Sequence, residues 1–170
     1  MGFRESLKQK PWVGITIAVL MVAIAGALIA RAYWPQKQAD LSRQYYTDDD
    51  GKTWFADSLY LVPPLERNGK TVVVAHVYSY AGGSKRFCAY LAKFTPEARQ
   101  KLEAAIAEAR QKGLPPSSVS LYGDRLFLAN GVLVKKPGAG EWVPYGDPRA
   151  NEVMTVRSPD GSEVDEVLVF

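Results

Sequence analysis

The chain has 170 residues, of which 47% are hydrophobic and 23% charged, values typical of a globular protein rather than a disordered one. The net charge is +3, and residues 1–10 hold much of it, because Arg4, Lys8 and Lys10 outnumber Glu5. The rest of the chain carries 18 basic and 17 acidic residues. Nucleic-acid-binding domains show a basic face, so this near-neutral remainder excludes nucleic acid as an expected partner.

An uncharged segment covers residues 11–30. Twenty helical residues span about 30 Å, the thickness of the hydrocarbon core of a bilayer. The sequence therefore predicts a transmembrane helix with its interfacial flank over residues 11–34, in contact with membrane lipid. Trp12 at one end, and Tyr33 with Trp34 at the other, are the aromatic residues expected at the two membrane interfaces.

The basic residues precede this segment, and cytoplasmic flanks are rich in lysine and arginine. We therefore expect residues 1–10 in the cytoplasm, a polar tether over 35–43 and an extracytoplasmic domain over 44–170. A cleaved signal peptide is the alternative, since residues 30–32 read Ala-Arg-Ala, but the apolar part of a signal peptide usually has about 7–15 residues. Cys88 is the only cysteine and there is no glycosylation sequon, which favours the inner membrane of a bacterial cell.

Two β-hairpins are predicted after the tether. The first spans residues 45–55, with aromatic strands on either side of an acidic turn. The second joins 72–80 to 85–94, and Gly82 and Gly83 suit a two-residue turn between them. With the helix that follows, these hairpins predict an α+β domain: a small antiparallel sheet with one main packed helix.

The second hairpin also predicts a register. A two-residue turn pairs His76 with Ala89 and Cys88 with Val77, so strand alternation puts His76 and Cys88 on opposite faces of the sheet. A catalytic Cys–His pair would therefore need a slipped register. One predicted face carries Val73, Ala75, Val77, Cys88, Tyr90 and Ala92. The other carries Val72, Val74, Tyr78, Phe87 and Leu91.

The main helix is predicted to begin after Thr95, which suits the N-cap, with Pro96 in the first helical position. Its apolar stripe should face the sheet and consists of Leu102, Ala105, Ile106 and Ala109. Gly113 ends it. The remaining strand candidates are residues 119–122, 125–128, 132–135 and 164–170, with an Asn-Gly hairpin turn at 130–131 and a short helical turn at 147–148.

One short motif lies in the first hairpin: Thr47-x-Asp49-x-Gly51-x-Thr53-Trp54. It resembles the Asp-box, or BNR motif, whose usual pattern is Ser-x-Asp-x-Gly-x-Thr-Trp. The resemblance implies a local turn in which Asp49 accepts backbone N–H bonds, Gly51 takes a positive φ and Trp54 packs at the hairpin base. In sialidase-like propellers the motif repeats once per blade and carries no catalytic residue, so it implies no sialidase activity here. The whole chain also resembles uncharacterised bacterial single-pass membrane proteins with a similar aspartate-rich hairpin.

Other chemistry is not supported by the sequence. An EF-hand calcium loop that starts at Asp48 would need a glutamate at its twelfth position, where the chain has Leu59. His76 is the only histidine, and no Walker A, G-x-G-x-x-G or G-x-S-x-G pattern occurs. Pseudopilins share the plan of an apolar helix and an α+β head, but their Phe-Thr-Leu-Ile-Glu start is missing. We therefore predict no catalytic residue, no metal and no cofactor.

Because no catalytic constellation is visible, the sequence favours a non-catalytic interaction or assembly protein of the cell envelope. Its partner would be a protein of the envelope or the membrane. Two alternatives stay open: a subunit of a larger membrane complex, and an envelope enzyme that uses carboxylates.

Overall fold

The computed structural model describes residues 11–32 and 40–169. The chain separates into two units, residues 1–38 and 39–170. The described part of the first unit is helix α1, Pro11–Ala32. Counting only the described residues, no helix is both long enough and apolar enough to cross a membrane. The fold therefore does not confirm the transmembrane helix, which stays a prediction.

Some of the predicted features fall outside the described residues: the cytoplasmic segment 1–10, the interfacial pair Tyr33 and Trp34, and the tether as far as residue 39. Trp12 lies in the first turn of α1 with 65% of its surface exposed. Its carbonyl accepts a hydrogen bond from the Thr16 hydroxyl at 2.7 Å. Other apolar side chains of α1 are exposed as well, namely Val19, Leu20, Met21, Val22, Ile24, Leu28 and Ile29.

The second unit is built on an antiparallel sheet. Its strands are β1 (Arg43–Thr47), β2 (Phe55–Ser58), β3 (Leu65–Arg67), β4 (Lys70–Tyr80), β5 (Lys85–Phe94), β6 (Val132–Lys135), β7 (Val143–Pro144) and β8 (Asp165–Glu166). The hydrogen-bonded order is β2-β1-β4-β5-β6-β7, and β3 and β8 also pair with β4. The predicted α+β class with an antiparallel sheet is confirmed.

The helices of this unit begin at side-chain caps. They are α2 (Pro96–Gln111), α3 (Arg125–Gly131) and α4 (Pro148–Met154), with 3₁₀ turns at Pro116–Ser118 and Ser120–Gly123. The Thr95 hydroxyl accepts the Ala98 N–H at 3.2 Å, as expected for the N-cap of α2. Asp147 caps α4 in the same way through the Arg149 N–H at 2.8 Å.

Two of the predicted strands are wrong. Val119 lies between the two 3₁₀ turns, residues 120–122 lie in the second one, and residues 125–128 form the start of α3. The Asp124 carboxylate accepts the N–H groups of Leu126 and Phe127 at 2.9 and 3.1 Å. A short apolar run is compatible with either a strand or a helix, which is why the strand prediction failed. Here the Asp124 cap begins a helix.

The predicted Asn-Gly hairpin turn at 130–131 is wrong for a related reason, since these residues end α3. A Cβ on Gly131 would lie 2.6 Å from the Cβ of Ala98, so glycine here allows α3 to approach α2 closely. The strand predicted at 132–135 is present as β6, whereas only Asp165 and Glu166 of the strand predicted at 164–170 form β8.

The second hairpin has the predicted strands but a different register. Cys88 lies opposite Val77 as expected, whereas His76 pairs with Tyr90 instead of Ala89. Ala89 is the extra residue of a β-bulge, and a shift of one residue turns every later side chain of β5 to the other face.

The bulge therefore sets the two faces of β4 and β5. The His76 face carries Val72, Val74, His76, Tyr90 and Ala92. The Cys88 face carries Val73, Ala75, Val77, Cys88 and Leu91. The predicted faces were wrong for Tyr90, Ala92 and Leu91. The buried stripe of α2 packs in a third cluster with Val62 and Val119, and this cluster meets the sheet at Phe94 of β5.

Candidate functional site

The Asp-box turn connects β1 to β2 and is closed by its own side chains. The buried Thr47 hydroxyl accepts the N–H groups of Asp49 and Gly51 at 3.3 and 2.9 Å. The Asp49 carboxylate accepts the Thr53 hydroxyl at 2.6 Å and the Thr53 N–H at 2.9 Å. These hydrogen bonds, above all the one from the Thr53 hydroxyl, lower the pKa of Asp49 to about 2. The resemblance to the Asp-box implies that Asp49 accepts a backbone N–H within the turn, and here the Thr53 N–H is that donor.

The turn is packed into the domain rather than projecting from it. Gly51 has a φ of +83°, and a Cβ there would lie 3.0 Å from Cys88 Sγ and 3.3 Å from Pro137 Cγ. Trp54 packs against the hydrophobic cluster of the same Cys88 face. The backbone of the turn therefore covers part of the hydrophobic core beside Cys88.

The other two aspartates of the turn bind lysines from different strands. Asp50 forms an ion pair with Lys135 Nζ at 2.5 Å and accepts the Gly138 N–H at 2.7 Å. Burial opposes ionisation of Asp50, but the Lys135 hydrogen bond holds its pKa below the usual value. Asp48 lies 3.6 Å from Lys70 Nζ. In the part of the chain that the structure describes, no group of three or more histidine, cysteine or acidic residues is placed to hold a metal ion.

A groove of about 480 Å³ opens beside these ion pairs on the Cys88 face. We call it the Trp142 groove; it is lined by Thr47, Asp48, Asp50, Lys70, Thr71, Val73, Leu91, Lys93, Lys135 and Trp142. Lys93 Nζ lies 4.4 Å and Lys135 Nζ 5.3 Å from the centre of a Trp142 ring, within the range of cation–π attraction. Lys135 is also held by Asp50, whereas no ion pair of the described residues involves Lys93. The groove thus combines an aromatic ring, fixed charges and a lysine without a carboxylate partner.

The His76 face carries a different group of polar residues. His76 stacks on Tyr90, with ring centres 4.1 Å apart and planes at 14°, and its Nδ1 lies 3.7 Å from a carboxylate oxygen of Glu166 on β8. The interaction with His76 lowers the pKa of Glu166, and burial raises the pKa of Tyr90. Cys88 is on the opposite face, and burial raises the pKa of its thiol to about 11. His76 and Cys88 are therefore separated by the sheet, and the thiol is protonated at neutral pH.

The carboxylates with a shifted pKa are poor candidates for general-acid catalysis at neutral pH. Every carboxyl group whose pKa is shifted has it lowered, namely Asp40, Asp49, Asp50, Glu108, Asp147, Asp160 and Glu166. A general acid at neutral pH needs a raised pKa, which burial or a like charge would supply.

The sequence did not indicate the lysines and the tryptophan of the Trp142 groove. Lys70 is on β4, Lys93 on β5 and Lys135 on β6, while Trp142 precedes β7. Their spacing in the sequence carries no periodic signal, because residues on neighbouring strands become close in space only when those strands pair in the sheet. The one available sign was the acidic turn of the Asp-box, since adjacent negative charges are stabilised by nearby cations.

Comparison of the chain with protein-family models, with curated proteins and with solved structures finds no match. The function is therefore inferred from the sequence and geometry of this chain.

Proposed function

We propose that this protein is a membrane-anchored component of the bacterial cell envelope whose outer domain binds a protein partner without catalysing a reaction. The Trp142 groove carries the proposal. Protein interfaces are enriched in aromatic residues, and their binding energy concentrates in a few buried anchors surrounded by polar groups. The groove offers one half-buried aromatic side chain, Trp142, surrounded by polar and charged groups.

The groove also favours a particular kind of partner. Lys70 and Lys135 are neutralised by Asp48 and Asp50, whereas Lys93 lies over Trp142 with no carboxylate from the described residues. A partner segment with an apolar or aromatic side chain for Trp142 and a carboxylate for Lys93 would satisfy both. Charged groups of this kind contribute mainly to specificity and association rate.

The membrane anchor is proposed from the sequence. Residues 11–30 hold no charge, α1 runs over Pro11–Ala32, and the side chains described on it are largely apolar and exposed. Exposed apolar surface of this extent is unfavourable in water and is expected to be covered by lipid or protein. The same features support the alternative that the chain is a permanent subunit of a larger membrane complex.

Site-specific photo-crosslinking in cells tests the binding groove. A crosslinking amino acid at Thr71, an exposed residue that lines the groove, should give a discrete protein adduct, whereas the same group at Ala104, exposed on α2, should not. Lys93→Glu should reduce the Thr71 adduct by about tenfold, because it replaces attraction by repulsion at a contact worth about 1–2 kcal/mol. Lys101→Glu, a matched charge reversal on α2, should leave it unchanged.

Equal adducts at Thr71 and Ala104, or an adduct that is insensitive to Lys93→Glu, would refute the groove as the interaction site. If the adduct is found only within an intact membrane complex, and no free chain is detected, the protein is better described as a permanent subunit of that complex than as an independent anchored protein.

Reporter fusions test the anchor and its orientation. Alkaline phosphatase fused after Phe170 should be active, because it folds only outside the cytoplasm, and the fusion should resist carbonate extraction from membranes. Replacing Leu20 and Ile24 together by lysine should release it, since each charge near the centre of a membrane helix costs about 2.5–3.5 kcal/mol. A fusion that is active only with a cytoplasmic reporter would contradict the orientation.

A further inference from the structure

A second cavity, of about 150 Å³, opens on the His76 face of the sheet. We call it the Tyr122 cavity. Its apolar walls are formed by Leu59, Leu61, Val74, Ala92, Phe94 and Val132. Gln44, His76 and Tyr122 add polar groups. Lys93 also borders it, but its ammonium group lies over Trp142, which is in the groove on the other face.

The Tyr122 hydroxyl is the unusual feature of this cavity. It is buried, yet it has no hydrogen-bond partner among the described residues. Its ring packs edge-on against Tyr60, with centres 6.2 Å apart, and burial raises its pKa, so the hydroxyl keeps its proton and can donate it. Buried polar groups in folded proteins are almost always paired, and an unpaired donor beside a cavity calls for an acceptor.

We propose that the Tyr122 cavity binds a compact apolar molecule of about one aromatic ring that carries a hydrogen-bond acceptor for the Tyr122 hydroxyl. The size is suitable, because a cavity of about 150 Å³ lined by aliphatic and aromatic side chains accommodates benzene. An adjoining cavity of about 230 Å³ shares Gln44, Leu59, Val74 and His76 with it, which provides access. The site is independent of the proposed function, since the Trp142 groove is on the opposite face.

Phenol and toluene test this proposal as a matched pair, because they have nearly the same shape and only phenol has an oxygen. The full chain in detergent micelles is titrated with each, and the shifts of the Val74 and Val132 methyl signals in NMR spectra report binding at this cavity. Partition of the probes into micelles is the same for every variant, so the ratio of the two apparent dissociation constants can be compared between variants.

Tyr122→Phe removes the hydroxyl and keeps the ring. It should reduce the preference for phenol over toluene by about tenfold, the effect of one hydrogen bond to a buried group, with toluene affinity unchanged. Tyr60→Phe is the matched control: it deletes the hydroxyl of the neighbouring ring, which does not line the cavity, and should preserve the wild-type ratio.

Three results would overturn the proposal. They are no methyl shifts with either probe at millimolar concentration, a wild-type protein that binds both probes equally, and a Tyr122→Phe variant that keeps the wild-type preference. Leu61→Trp, which fills the cavity from its wall, should abolish the shifts with both probes. Shifts that persist in this variant would show that the probes bind elsewhere.

Discussion

Replacement of Gly51 by alanine tests whether the Asp-box turn is truly packed on the Cys88 face. The φ of +83° at Gly51 is a conformation that costs a non-glycine residue about 1–3 kcal/mol. The new Cβ would also lie 3.0 Å from Cys88 Sγ and 3.3 Å from Pro137 Cγ, and overpacking of this kind costs about 1–3 kcal/mol. The two effects together predict a loss of about 2–6 kcal/mol from a domain stability of about 5–15 kcal/mol.

Gly82 provides a matched control for the backbone part of this loss. It has a φ of +65° in the loop of the second hairpin, and a Cβ there would meet no atom within 4 Å. Gly82→Ala should therefore show only the conformational cost. The difference between Gly51→Ala and Gly82→Ala isolates the contact with Cys88 and Pro137, and should be about 1–3 kcal/mol.

Urea denaturation followed by tryptophan fluorescence measures these free energies of unfolding by linear extrapolation. The substitution Cys88→Ala, made in the Gly51→Ala background, removes the Sγ atom and should recover about 1 kcal/mol of the loss as a coupling energy. Equal losses at Gly51 and Gly82, together with no recovery from Cys88→Ala, would refute the packed turn.

Two further predictions concern the charges of the same turn. The folded-state pKa of Asp49 is lowered from 3.8 to about 2, so its contribution to stability is complete above about pH 4 and is lost as the pH falls through the folded value. Asp49→Asn should therefore flatten the decrease in melting temperature between pH 4 and pH 2, and an unchanged decrease would contradict the assignment. Lys135→Met should lower the free energy of unfolding by about 1–3 kcal/mol, because the Lys135 side chain is only 13% exposed in its ion pair with Asp50. Lys70→Met should lower it by less than about 1 kcal/mol, because Lys70 is 58% exposed beside Asp48. Equal losses for the two variants in urea denaturation would refute this ranking.

The features that the sequence determined by itself are those held by contacts between close neighbours in the chain. The Asp-box turn is closed by hydrogen bonds that span four residues or fewer, from Thr47 to Thr53. Thr95 and Asp147 each cap the helix that follows them directly. Such signals are readable without a fold, because the donor and the acceptor lie within one or two turns of chain.

Residues 119–128 show where local reading fails even at short range. Their apolar residues are compatible with both strand and helix, and Asp124, the cap that decides between them, resembles an ordinary turn residue. The packing of this segment is also non-local, since Val119 is buried in one cluster with Leu102 and Ile106 of α2. The close approach of Gly131 to Ala98 then fixes how α3 meets that helix.

Only the tertiary structure decided the register after Ala89 and the composition of the Trp142 groove. The bulge places Leu91 on the Cys88 face, with Val77, and Tyr90 beside His76. Nothing within β5 specifies this extra residue, because an alternating pattern fits both registers until each face has a partner to pack against. The groove depends on the same information: it is formed by residues far apart in the chain, which become neighbours only when β4, β5 and β6 pair in that register.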